Sequence, residues 1–198
     1  MKIFKHLTLL TLCSSLLLAA PSKKKEAEYN SVVNMGQHSS QLLIQTLGKN
    51  LKKRMKDGGT LEALNFCANE AYTLTESVNK KLPNGVRVKR ISSKYRSPAN
   101  KPSADELAVL ASFEQMKKAD ILLPKYLIQK VDLHVFKYYK PLVIKKKTCL
   151  KCHGTNKDIK DIEVKQEIAK RYPLDNARGY KMNDLRGAVV VEIDKRVR

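Results

Sequence analysis

The chain has 198 residues, 42% of them hydrophobic and 29% charged, with 39 Lys and Arg against 19 Asp and Glu, a formal net charge of +20. That length suits one domain with a core of its own. The charge points to anionic membrane surfaces or acidic protein partners rather than nucleic acid, because no nucleic-acid module is present; the lysines are scattered through the whole sequence, which equally fits a generally Lys-rich composition.

In chain order, Met1 to Lys5 makes a short positive start, Leu7 to Leu18 is an apolar run, and Ala19, Ala20 and Pro21 follow. This is the pattern of a secretory signal peptide. The run is shorter than the ~20 apolar residues that span a bilayer. Cleavage is expected near Ala19, since Pro21 directly after a cut at Ala20 would hinder the peptidase. Cys13 follows the bulky Leu12 within the run and is not read as a lipidation site. The expected organisation is therefore a signal peptide over 1–19 and one domain over 20–198, exported to the periplasm. Loss of Lys2 and Lys5 from the +20 leaves the mature domain at +18.

From Ser31 to about Lys56, Leu42, Leu43, Leu47 and Leu51 recur at helical spacing, and Gly58-Gly59 stops that helix. Thr60 is placed to cap a second helix carrying Ala63, Leu64, Cys67, Ala71 and Leu74 on one inward face. Pro83-Asn84-Gly85 is a turn, and Val86 to Ile91 alternates as a strand. After a loop at 97–102, Ser103 and Glu106 form a capping box, opening a helix to about Lys118 with Leu107, Leu110, Phe113 and Met116 inside. Strand-like stretches run from Lys130 to Tyr139 and from Leu142 to Ile144; a short helix spans Ile162 to Arg171, and Gly187 to Ile193 is a buried strand. Helices first and an antiparallel sheet after them make the class α+β, with N-terminal helices packed on the sheet.

Cys149-Leu150-Lys151-Cys152-His153 carries the chemistry. C-x-x-C-H in an exported protein reads as a site for one covalently attached c-type haem. The two thiols add across the vinyl groups of one porphyrin edge, and the adjacent imidazole falls beneath the iron as proximal ligand. A reducible C-x-x-C pair would want a βαβ setting, and a zinc ribbon a second ligand arm; the sequence offers neither. Of the four cysteines, Cys67 is then the one left over. The residues alone leave open whether it is a small buried hydrophobe or a second haem ligand. His134, alternating with Leu133 and Val135, reads as a strand residue, and His38 as a helix-surface residue.

Two common cytochrome architectures do not fit. A four-helix-bundle cytochrome carries its motif near the chain end, whereas here residues 154–198 follow and finish in a strand. A small all-helical cytochrome carries it near the N-terminus with a distant Met ligand, and Met182 is the sole Met after His153. The chain instead resembles the exported single-haem proteins whose c-type haem sits on a PAS-like domain. The matching residues are Gly58-Gly59 with Ala63, Leu64 and Cys67; Arg87 to Arg96 with Pro98, Asn100 and Pro102; Cys149 to Gly154; Tyr172 to Asp175 with Ala177 and Gly179-Tyr180; and Arg186 to Ala188. Ser97 and Asn183 depart from the pattern. The resemblance implies a PAS-like antiparallel sheet under N-terminal helices, and Cys67 as the sixth ligand opposite His153.

A His/thiolate haem would have a low reduction potential, because thiolate favours the ferric state. On reduction the sulfur becomes easier to protonate and lose, opening a site for a small gas such as CO or NO. A redox- or gas-responsive protein is therefore expected, acting on an unknown redox or signalling partner. Plain electron transfer is the alternative. A peroxidase-like haem enzyme fits less well, since Cys67 would fill the side where a base must stand; the chain is not read as an enzyme.

Overall fold

The computed structural model describes residues 23–197. The expected signal peptide, with Cys13, lies outside them. Helix α1 (Lys23–Asn69) is two helical segments joined at Gly58 (φ −141°, ψ 20°) and Gly59 (φ 72°, ψ −156°). It begins eight residues before the expected start at Ser31, because Lys23 to Tyr29 has helical propensity without apolar periodicity. Arg54 reaches across the kink to Glu62 and Glu70, each at 2.9 Å. The Thr60 hydroxyl does not serve as the expected cap and instead approaches Met55 Sδ at 3.9 Å. A break at Glu70 separates α2 (Ala71–Asn79), so Ala71 and Leu74 do not continue the helix of Cys67.

Strands β1 (Val86–Ile91), β2 (Leu127–Lys130), β3 (Val135–Val143) and β4 (Leu185–Asp194) form one antiparallel sheet in the order β1-β4-β3-β2. Side chains alternate across it. Val86, Val88, Tyr138, Val189 and Val191 meet Val32, Leu43 and Phe66 of α1. On the opposite face Ile91, Tyr139, Ala188 and Val190 meet Leu110 and Phe113 of α3 (Ala104–Lys118). The result is the α+β class expected, with the N-terminal helices covering one face of the sheet.

Three local expectations change. The stretch from Lys130 to Tyr139 is not one strand: a turn at 131–134 separates β2 from β3, and Asp132 Oδ1 accepts the backbone N–H groups of His134 and Val135, both at 2.7 Å. His134 therefore sits exposed in a turn. β3 also runs through Pro141, beyond the last β2 pair at Tyr139, where a missing N–H removes no ladder bond to β2. On α3 the Ser103–Glu106 capping box forms as expected, but Leu107 is 47% exposed and Glu106 is buried instead. Glu106 takes that face because Lys89 (2.8 Å) and Lys137 (3.5 Å) project from the sheet to meet it, and Lys137 also pairs with Asp105 at 2.7 Å.

Between β3 and β4 the chain leaves the sheet as α4 (Lys147–His153), α5 (Ile162–Arg171) and a returning loop. The two ends of this excursion are tied by Ile144 N–H to Asp184 O and Asn183 N–H to Ile144 O, each 2.9 Å. Asn183 takes the left-handed conformation (φ 70°) that Asn tolerates. Among the described residues, no helix is long and apolar enough to cross a membrane.

Candidate functional site

Helix α4 is a two-turn wedge between two small apolar clusters. Cys152 packs against the cluster of Leu64, Ile159, Val164 and Ile168, and Cys149 against Ile144, Ala177 and Tyr180. The spacing puts the two thiols one turn apart, with His153 one residue beyond. The end of α4 is held by the returning loop: Gly179 N–H donates to Gly154 O at 2.9 Å and Tyr180 N–H to His153 O at 3.0 Å.

Cys149, Cys152 and His153 line one cavity of about 1150 Å³. This is at or above the ~300–1,000 Å³ typical of small-molecule and cofactor sites. Cys67, 82 residues earlier in the chain than Cys149, lines the same cavity from α1. The expectation that Cys67 points into the core does not hold: Ala63, Leu64 and Phe66 are buried, while Cys67 is exposed. The kink at Gly58–Gly59 sets the second α1 segment on its own axis, and the thiol looks out of the core into the cavity. Its surroundings are nonetheless confined enough that desolvation pushes its pKa up, against the lowering pull of Arg90, Arg96 and Arg186. An accessible thiol that is still poorly hydrated is what a cavity wall produces. His38 and His134 are exposed and do not line the cavity.

The imidazole of His153 is fixed. Its Nδ1 lies 2.9 Å from the Ala177 carbonyl, which can only accept, so Nδ1 carries the proton and Nε2 keeps its lone pair. Burial, with Arg186 and Arg96 nearby, lowers the His153 pKa to about 3. The ring is therefore neutral over the physiological range, as a metal ligand must be. Burial likewise raises Cys152 to about 11, a thiol rather than a thiolate at neutral pH.

A buried ion pair braces this arrangement. Arg96 forks Asp175 through Nε and Nη2, both at 3.0 Å, with the two side chains 8% and 3% exposed. Arg96 Nη2 also donates to the Cys152 carbonyl at 2.7 Å, and Asp175 Oδ1 accepts the Ala177 N–H at 2.9 Å. The pair thus ties α4 to the loop that presents the Ala177 carbonyl to His153. Burial raises the Asp175 pKa, but Arg96 and Arg178 outweigh it and hold the carboxyl below its usual range. Arg90 and Arg186 also line the cavity, and among the described residues neither forms an ion pair. Arg186 donates to Ser92 Oγ at 2.7 Å and stacks on the Tyr180 ring at 5.2 Å.

Sequence reasoning gave no role to Arg90, Arg96, Arg186 or Asp175. The available signal was that all four lie in the segments that carry the family resemblance, and that arginine, the minority cation in a lysine-rich chain, is the residue suited to buried pairing and carboxylate recognition. Among the described residues, no group of three or more His, Cys, Asp and Glu is arranged around a metal ion. The site instead offers two thiols and an imidazole from one short helix, a third thiol across the cavity, and guanidinium groups able to hold carboxylates.

No curated protein sequence matches the chain. Among solved structures, the crystal structure of the cyanobacterial heme-protein Tll0287 has a similar fold, with a TM-score of 0.58 at 24% sequence identity over 91% of this chain and 99% of that one. The sequence pattern of the Tll0287-like family matches residues 21–194, and the chain belongs to that family.

Proposed function

From that membership, we propose that the protein is a periplasmic monohaem c-type cytochrome with His/Cys axial ligation, acting as a redox- or small-gas-responsive haem protein. One observation carries the reading: Cys149, Cys152, His153 and Cys67, from two distant stretches of chain, line a single cavity of about 1150 Å³. The similar solved structure is that of a heme-protein, which agrees.

The residues fit the group. Cys149 and Cys152 hold it by two thioether bonds, each thiol adding its S and H across one vinyl C=C with nothing released. His153 is the proximal ligand through Nε2, oriented by the Ala177 carbonyl as metal-bound imidazoles commonly are. Cys67 is the opposite ligand; burial holds its pKa up, and Arg90, Arg96 and Arg186 pull the other way, toward the thiolate that a metal binds. Arg90 and Arg186 are suited to the haem carboxylates. When bound, the haem supplies one-electron chemistry, and a small-molecule site if an axial ligand leaves on reduction.

Plain electron transfer remains a second reading, favoured by the exposed lysines at the cavity mouth. The periplasmic address rests on the signal-peptide pattern expected over residues 1–19. The test is intact-mass spectrometry of protein made in cells competent for cytochrome c maturation. A mature mass increased by one haem that resists acid–acetone extraction is expected; a haem-free mature mass would overturn the proposal.

A further inference from the structure

We propose that the cationic mouth of this cavity, formed by Lys49, Lys52 and Lys56 of α1 and Lys146 beside α4, is the docking site for an acidic electron-transfer protein. The inference rests on the haem reading above and adds to it the place and chemistry of the partner.

All four lysines are exposed and line the same cavity as Cys149, Cys152 and His153, so they stand where it meets solvent. Among the described residues none of the four forms an ion pair, whereas Lys89, Lys137 and Lys195 each pair with a carboxylate. Glu76, the acidic residue of the lining, is engaged by Arg87 at 3.2 Å. Lys49, Lys52 and Lys56 follow one another at i, i+3 and i+7, stacking like charges on one face of α1. Such neighbours destabilise a helix, and among the described residues no ion pair to these three lysines offsets them.

A haem brings two carboxylates. Arg90 and Arg186, inside the cavity and in no ion pair among the described residues, suffice for both, so the rim would keep its charge with the cofactor in place. Leu51 (37% exposed) and Tyr72 (61% exposed) also line the opening. An apolar centre ringed by lysines suits a transient protein contact. A field of one sign around an opening raises association rates by about 10- to 1,000-fold at low salt.

The test uses holoprotein whose covalent haem has been verified by the pyridine haemochrome spectrum, with reduced plant-type [2Fe–2S] ferredoxin as an acidic one-electron donor. The second-order rate of haem reduction should fall about tenfold or more as salt is raised well beyond physiological strength. The triple variant Lys49→Gln/Lys52→Gln/Lys56→Gln should be about tenfold slower at low salt, with a flattened salt dependence. Lys80→Gln/Lys118→Gln/Lys170→Gln, exposed lysines outside the cavity lining, should match the wild type. Reduction by the methyl viologen radical cation should accelerate in the rim variant, which separates a field effect from a changed potential. Equal losses in both triple variants, or a salt-independent rate, would overturn the docking site and leave the haem reading intact. So would a rim variant with normal ferredoxin kinetics that fails to sediment with vesicles of phosphatidylcholine and phosphatidylglycerol, which would assign the surface to lipid. Protein lacking a covalent haemochrome would overturn the haem reading itself.

Discussion

Asp175→Asn removes the charge at the centre of the brace while keeping the shape of the side chain. Arg96, 8% exposed, then loses its carboxylate, and Arg178 loses its partner at 2.8 Å. Breaking a buried pair by removing one member costs about 3–5 kcal/mol. The lower end applies, because the amide can still accept a hydrogen bond and Arg96 lines a cavity wall, so the expected loss at pH 7 is about 3 kcal/mol. Urea unfolding of holoprotein followed by circular dichroism measures it. Arg96→Met should lose a similar amount, and the double variant less than the sum, by about 1.5–3 kcal/mol of coupling. The pH dependence has a definite sign. The folded pKa of Asp175 is depressed, so its contribution is complete above the ordinary carboxylate value of ~3.9 and is lost as pH falls through the lower folded value. The gap between wild type and Asp175→Asn should therefore be constant from pH 5 to 8 and narrow below about pH 4. An additive double variant, or a single-variant loss under about 0.5 kcal/mol, would refute the brace.

Gly59→Ala tests the kink. A Cβ there meets nothing within 4 Å, so the penalty is the backbone at φ +72° alone, about 1–3 kcal/mol in urea unfolding; because the kink sets the direction of Cys67, the ferric spectrum should change while covalent haem is retained. Glu106→Gln should lose about 1–3 kcal/mol through Lys137, which is left in a buried site with one carboxylate fewer. Glu106 sits below its usual range and Asp105 at about 2, so the wild-type advantage should persist above about pH 4.5 and decline on acidification, with no change in the visible spectrum.

The sheet and the motif were legible because their signals are local. Val86 to Ile91 alternates with period two and forms β1 over those residues, and Ser103 and Glu106 build their box from an i, i+3 spacing. C-x-x-C-H needs only one short helix. What escaped depends on partners far along the chain. Nothing near Glu106 announces that Lys89 and Lys137 will cross from two strands to meet it, so Leu107 was the apparent inward residue. Cys67 sits at an apolar spacing with Ala63 and Leu64, and periodicity alone sends it to the core; that spacing does not show that this face of the segment after the kink borders a cavity, which Ala63 and Leu64 line as well. The Asp132 turn was hidden inside an otherwise alternating run. Arg96 and Asp175 are 79 positions apart, and their pairing has no local trace.

The electron paramagnetic resonance spectrum of ferric holoprotein, recorded for wild type and Cys67→Ser, tests the central claim most directly. Thiolate opposite His153 predicts a low-spin signal with narrow g-spread in the wild type. It predicts a high-spin or water-ligated signal in Cys67→Ser, with covalent haem retained in both. An identical low-spin spectrum in Cys67→Ser would contradict the account, since the ligand would then be another residue and the convergence of Cys67 on the cavity would have no bearing on the iron.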